Sequence, residues 1–249
     1  MPNLAFIAGI TGGIGSELAR RLHAAGWLVG GFARSAEKLA ALEVELPGLI
    51  TNVADATDPD AVETALNDFA TRAGATPDAY VHCVGSILLK SAHLTSIEEW
   101  RRTLALNLDS AFYGLRAAVG PMQTRGSGSI VLVSSVAAGT GLPSHEAIAA
   151  AKSGIEGLVR SAAASYASRN VRINAVAPGL VDTPLAAGLL GNPQARAFSE
   201  KMHPLGRVGT PANIASAIAY LLSPDADWVT GQVWHIDGGM GSVRPRPKA

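Results

Sequence analysis

The chain has 249 residues, of which 20 are Lys or Arg and 20 are Asp or Glu; its formal charge is zero, and bulk electrostatics do not direct it to nucleic acid or an anionic membrane. With 48% hydrophobic and 16% charged residues it is not a disordered polyelectrolyte, and it is long enough to bury one large core. The single cysteine, Cys83, has no disulfide partner, and the six histidines lack Cys or His neighbours at metal-ligand spacing, which points to a reduced compartment and no structural zinc.

The opening MPNLAFIAGI has no basic n-region and runs into a glycine-rich turn, so it reads as a first strand and not as a signal peptide. The longest uncharged stretch, Gly126 to Ser144, is broken by Gly, Ser and Pro and reads as strand plus loop, not as a membrane span. A soluble, cytoplasmic protein is expected. Apolar runs at Leu4–Ala8, Leu28–Ala33, Leu49–Val53, Ala79–Val84, Ile130–Val133, Arg172–Ala177 and Gln232–Ile236 are the predicted strands, with stretches of helical period between them. Seven strands joined by crossover helices predict a single-domain α/β chain of Rossmann type, a doubly wound, seven-stranded, mostly parallel sheet flanked by helices. The domain spans residues 1–240 and the tail 241–249, whose VRPRPKA end is expected to fray. Residues 181–205 form an irregular segment, a candidate substrate lid in which Leu185, Leu189, Leu190 and Phe198 supply an apolar cover.

After the first strand, Ala8-Gly9-Ile10-Thr11-Gly12-Gly13-Ile14-Gly15 leads into the amphipathic Ser16-Glu17-Leu18-Ala19-Arg20-Arg21-Leu22. At such a strand-to-helix turn, missing side chains let backbone N–H groups approach a pyrophosphate, and the helix end favours the anion; a lone glycine cluster would otherwise be an ordinary tight turn. The second strand ends in Phe32-Ala33-Arg34-Ser35, with no carboxylate for a ribose 2′-hydroxyl and a guanidinium suited to a 2′-phosphate. NADP(H) is therefore preferred, with NAD(H) possible; the alternative for Arg34 is a solvated loop residue. Asp55, beside Ala56 at the end of the third strand, can accept from an adenine amino group or cap the helix beginning near Asp58.

With these residues in order, the sequence resembles the classical short-chain dehydrogenase/reductase family over nearly its whole length. Gly9, Gly13 and Gly15, together with Ile10 and Ile14 between them, match the cofactor turn, although Ala8 stands where threonine is usual. His82-Cys83-Val84-Gly85 matches the turn after the fourth strand with its Asn-Ala replaced. Asn107, Pro178-Gly179, Thr183 and the Gly231 to Gly239 segment also match. The resemblance implies an NAD(P)-dependent oxidoreductase acting on a small molecule and assembling as a homotetramer or dimer, with Trp228 and Trp234 near a C-terminal strand that can join an interface.

The family's chemistry rests on Ser, Tyr and Lys supported by Asn. Asn107, Ser135 and Lys152 match, but the tyrosine position four before the lysine holds Ile148. Isoleucine cannot exchange a proton, and losing such an acid typically costs on the order of 10²–10⁴-fold in rate. His145 lies seven residues before Lys152, about two helical turns, and is a candidate substitute acid; its alternative is an exposed loop histidine. Glu146 is less well aligned and favours the helix N-terminus. The expected activity is reduction of an activated C=C or carbonyl group of a small apolar substrate; the alternative is a nucleotide-binding protein that has lost catalysis and serves as a partner or sensor. Cys83 reads as a small buried residue, not a nucleophile.

Overall fold

The computed structural model describes residues 3–244. Seven strands, β1 (Leu4–Ala8), β2 (Leu28–Ala33), β3 (Ile50–Val53), β4 (Ala79–His82), β5 (Gly128–Val133), β6 (Val171–Pro178) and β7 (Val233–Ile236), form one sheet in the order β3-β2-β1-β4-β5-β6-β7. Every pairing is parallel, so the sheet is wholly and not mostly parallel. The predicted β4 is two residues too long: Cys83 and Val84 have already left the sheet to line a crevice.

Side chains alternate across β1. Leu4, Phe6 and Ala8 face one layer, where Phe6 meets Phe69 at 5.3 Å, while Ala5 and Ile7 face the other. The first layer holds α3 (Pro59–Ala73), α5 (Ser110–Arg125) and α6 (Glu146–Tyr166); the second holds α1 (Gly13–Ala24), α2 (Ala36–Glu45) and α9 (Pro211–Leu222). Such burial on both faces explains why the strands read as continuous apolar runs. Helix starts follow capping chemistry: Ser35 caps α2 and Thr210 caps α9, and Asp58 caps α3 by accepting from Asp60 and Ala61. Asp55 is thus not that cap; its carboxylate accepts from the Thr57 backbone N–H and hydroxyl, which hold it below the usual carboxylate range.

The helix before α5, α4 (Ile97–Leu104), runs into it through a π-helical turn, Ala105–Asp109. Residues 181–205 are more ordered than predicted, folding a short α7 (Ala187–Leu190) and α8 (Pro193–Met202). Leu190 is not part of an apolar cover over the site: it packs with Ala186 and Val208 in a small separate cluster. The Gly241–Arg244 stretch is described, whereas the end of the predicted fraying tail, 245–249, lies outside the described residues.

Candidate active site

In an open parallel sheet the crevice lies at the carboxyl ends of the strands where the chain reverses direction, here between β1 and β4. The turn after β1 opens with Gly9 at φ +76°, a left-handed conformation that suits glycine. Gly9 and Ile10 N–H groups both donate to the Phe32 carbonyl, at 2.9 and 3.2 Å. The Ile10 side chain is fully buried. Gly12 N donates to the Gly9 carbonyl at 3.0 Å, and the N–H groups of Gly13, Ile14 and Gly15, ahead of the first intrahelical bond from Ser16 N to Gly12 O, are open to an anion. A Cβ on Gly15 would collide with the Gly9 carbonyl oxygen, and one on Gly13 would stand 2.7 Å from Thr183 Cγ2. The turn is thus a backbone cradle closed on one side by Thr183, which fits a dinucleotide pyrophosphate. Arg34 and Asp55 are exposed at the ends of β2 and β3, and Ala56 is buried.

Farther along, an inner crevice of 150 Å³ gathers Ile14, Gly85, Asn107, Ser135, Ile148, Lys152, Pro178, Gly179 and Thr183. Lys152 is 6% exposed, and its ammonium donates to the Val133 carbonyl at 2.8 Å. Burial pushes it down to about 8. Asn107 sits in the π-helical turn, its Oδ1 accepting from Ser86 N at 3.0 Å and its amide donating to Ser86 Oγ at 2.9 Å and Thr103 O at 3.0 Å. Such π turns recur at functional sites, because the extra residue re-aims a side chain. Ser135 Oγ accepts from Ala137 N at 3.2 Å, leaving its hydroxyl proton for another acceptor.

An outer cavity of 330 Å³ opens beyond Ser135 and Ile148, lined by apolar groups including Leu142, Leu189, Phe198 and Met202, with His145 and His203 among its few polar ones. Leu189 and Phe198 line the outer cavity, while Leu185 lines the inner crevice. His145 precedes α6 as its N-cap residue, with Nδ1 2.7 Å from the Pro143 carbonyl. A carbonyl only accepts, so Nδ1 carries the proton and Nε2 is left free to exchange one. Ser144 before it holds φ +60°, and Lys90 N donates to its carbonyl at 2.7 Å. Glu146 instead accepts from Ala92 N at 3.3 Å, away from the site. None of the tyrosines, Tyr80, Tyr113, Tyr166 and Tyr220, lines either space.

Cys83 lines the crevice, but burial pushes its thiol up to about 12, so it is protonated near neutrality. Behind it, buried His82 bridges Tyr80 OH at 3.1 Å and Ser110 Oγ at 3.0 Å, while Ser110 donates to Leu106 O at 2.9 Å. This network, which ties β4 to the π-helical turn, was invisible in the one-dimensional pattern, as was the burial of His203. Among the described residues no three His, Cys, Asp or Glu side chains form a metal cage, and no helix is long and apolar enough to cross a membrane.

The family model described as enoyl-(acyl carrier protein) reductase matches residues 9–241. A 3beta-hydroxysteroid dehydrogenase 1 from Eggerthella lenta is 36% identical over 94% of this chain and 92% of its own. A protein from Xanthobacter autotrophicus named inactive 2-(S)-hydroxypropyl-CoM dehydrogenase 2 is 39% identical over 76% of this chain and 84% of its own. Among solved structures, an actinorhodin polyketide ketoreductase variant with NADPH superposes with a TM-score of 0.93 at 28% identity, covering 97% of this chain and 98% of the other. With the parallel sheet, the glycine turn and these relatives in agreement, the chain belongs to the classical short-chain dehydrogenase/reductase family of oxidoreductases.

Proposed function

We propose that the protein is an NADP(H)-dependent oxidoreductase of divergent chemistry, acting on an activated C=C or carbonyl group of a small apolar molecule. The observation that carries this reading is Ile148 at the proton-donor position, in a site that keeps Asn107, Ser135 and Lys152. The pyrophosphate would rest on Gly13, Ile14 and Gly15, behind Gly9 and Ile10. Arg34 would meet the 2′-phosphate and Asp55 and Ala56 the adenine end, with Gly85, Lys152, Pro178, Gly179 and Thr183 around the nicotinamide end. Bound there, the dinucleotide would supply or accept the hydride.

This chain's own groups then set which substrates react. Ser135 can donate its free proton to a carbonyl oxygen, and the buried Lys152 ammonium stabilises negative charge developing nearby. Neither the Ile148 side chain nor any tyrosine delivers a proton there. A substrate that spreads its charge as an enolate tolerates this, because its final proton can arrive later from solvent, directly or by way of His145 once its Nε2 has taken up a proton from water. A simple ketone, which needs a proton on its alkoxide oxygen, does not.

With this reading go a cytoplasmic location, neither nucleic acid nor membrane as partner, one domain over 1–240 with 181–205 as its lid, and a homotetramer or dimer. Trp228, 97% exposed, and the Tyr220–Trp234 stack at 5.3 Å lie on or beside β7 and offer surface for such an assembly. The test is titration with NADPH and NADH followed by single-turnover hydride transfer to a panel of enones and ketones. Tighter NADPH binding and faster enone reduction are expected; reduction of ordinary ketones at rates typical of enzymes, roughly 1–10³ s⁻¹, would overturn the divergent chemistry. A second reading, a nucleotide-binding partner or sensor without catalysis, is favoured by the same Ile148 and by the relative named inactive. It requires NADPH binding with no transfer to any member of the panel.

A further inference from the structure

Helix α8, which covers the outer cavity, buries none of its own residues. The residue that follows it does the anchoring: His203 is 3% exposed, with Nε2 3.1 Å from Leu180 N and Nδ1 2.7 Å from the Ser199 carbonyl. An N–H only donates and a carbonyl only accepts, so the ring is neutral, protonated at Nδ1 and accepting at Nε2. Both nitrogens are used, one on the lid and one on the body. Among the described residues the other side-chain hydrogen bond that α8 makes beyond its own cap is Arg196 to Asp182, 2.6 Å long, at the surface and within the 181–205 segment itself. The fit around the imidazole is close, since a Cβ on Gly179 would stand 2.6 Å from Nε2. Gly179 and Leu180 line both the inner crevice and the outer cavity, and His203 also forms part of the wall toward a third space, of 710 Å³.

We infer that His203 is a positioning residue that couples the inner crevice to the lid: a molecule seated against the Gly179–Leu180 backbone fixes α8 through this one imidazole. The inference rests on reading the inner crevice as the nicotinamide end of the cofactor site. Its test is amide hydrogen exchange on the full chain, free and with NADPH, for wild type, His203→Leu and His203→Gln. Leucine leaves the Leu180 N–H and Ser199 carbonyl unpaired, whereas glutamine keeps one acceptor and one donor. In the free protein the leucine variant is expected to raise exchange across residues 193–202 about ten-fold. NADPH is expected to protect that helix in wild type and not in the leucine variant, while residues 13–16 remain protected in both, and glutamine should restore the wild-type pattern.

Unchanged exchange of α8 in the leucine variant, NADPH protection of α8 that survives it, or failure of glutamine to restore the pattern would each overturn the coupling. Protection of residues 13–16 in wild type without protection of α8 removes the coupling alone. Absence of NADPH protection everywhere removes the cofactor reading together with it.

Discussion

Ile148 stands one helical turn before Lys152 on the buried face of α6, the two side chains lining the same crevice at 5% and 6% exposure. Ile148 also faces the outer cavity, so a larger side chain has space ahead of it. Ile148→Tyr is expected to raise NADPH-dependent reduction of a simple ketone such as cyclohexanone at least ten-fold over wild type. No gain in a folded variant would mean that the site has changed shape as well as chemistry.

His145 lines the outer cavity with its Nδ1 proton held by the Pro143 carbonyl, so Nε2 is the nitrogen that can take up a proton from solvent and pass it on. If that nitrogen delivers the final proton, His145→Ala should lower enone turnover by roughly 10²-fold while leaving NADPH affinity within about two-fold. Steady-state kinetics beside a fluorescence titration separate the two, and unchanged turnover would assign the proton to solvent.

Arg34 is exposed at the end of β2. Arg34→Ala should weaken NADPH binding by about ten-fold and leave NADH unaffected, as expected for loss of one charge-assisted contact of about 1.5 kcal/mol to the 2′-phosphate. Parallel titrations decide it, and equal effects on both cofactors would remove the assignment.

Two buried bases give the protein a pH signature. Burial pushes His82 down to about 3 from an ordinary 6.5. The unfolded chain therefore takes up a proton as pH falls through 6.5, whereas the native imidazole resists until about 3. Stability is lost across that window at up to about 1.4 kcal/mol per pH unit. Lys152, pushed down to about 8 from 10.5, acts with the same sign at higher pH, so stability should rise between about 8 and 10.5. Urea midpoints from pH 3 to 10.5 should show both limbs. His82→Asn should flatten the acid limb and Lys152→Met the alkaline one; because the Lys152 charge also helps hold His82 down, Lys152→Met should in addition make the acid limb shallower.

The fold was legible because doubly buried strands are written as continuous apolar runs: β1 and β2 match their predicted bounds, and the glycine turn falls where β1 meets α1. Asn107, Ser135 and Lys152 were legible through the family resemblance, and the structure brings all three to one crevice. Asp55 was ambiguous because two aspartates three apart can each cap or turn the chain, and only backbone geometry chose Asp58 for α3. Leu190 misled because an apolar residue in a lid can face the site or the lid's own small core with the same local pattern. His203 and the His82 network had no sequence signal at all. Their hydrogen bonds are made to partners brought near by the fold, and periodicity does not encode the burial of a lone polar residue.

The strand order also bears on how the chain is made. β1 to β4 lie side by side as β3-β2-β1-β4, so the first third of the molecule can assemble half of the sheet while the rest is still being synthesised at about 5–20 residues per second. During that interval the outer edge of β4 is bare, with the backbone of Tyr80 and Val81 unpaired on that side until Gly128–Val133 arrives. An apolar parallel edge of this kind is a template for the wrong partner. Chains interrupted between β4 and β5 would therefore present an unpaired apolar edge of the kind that recruits a wrong partner.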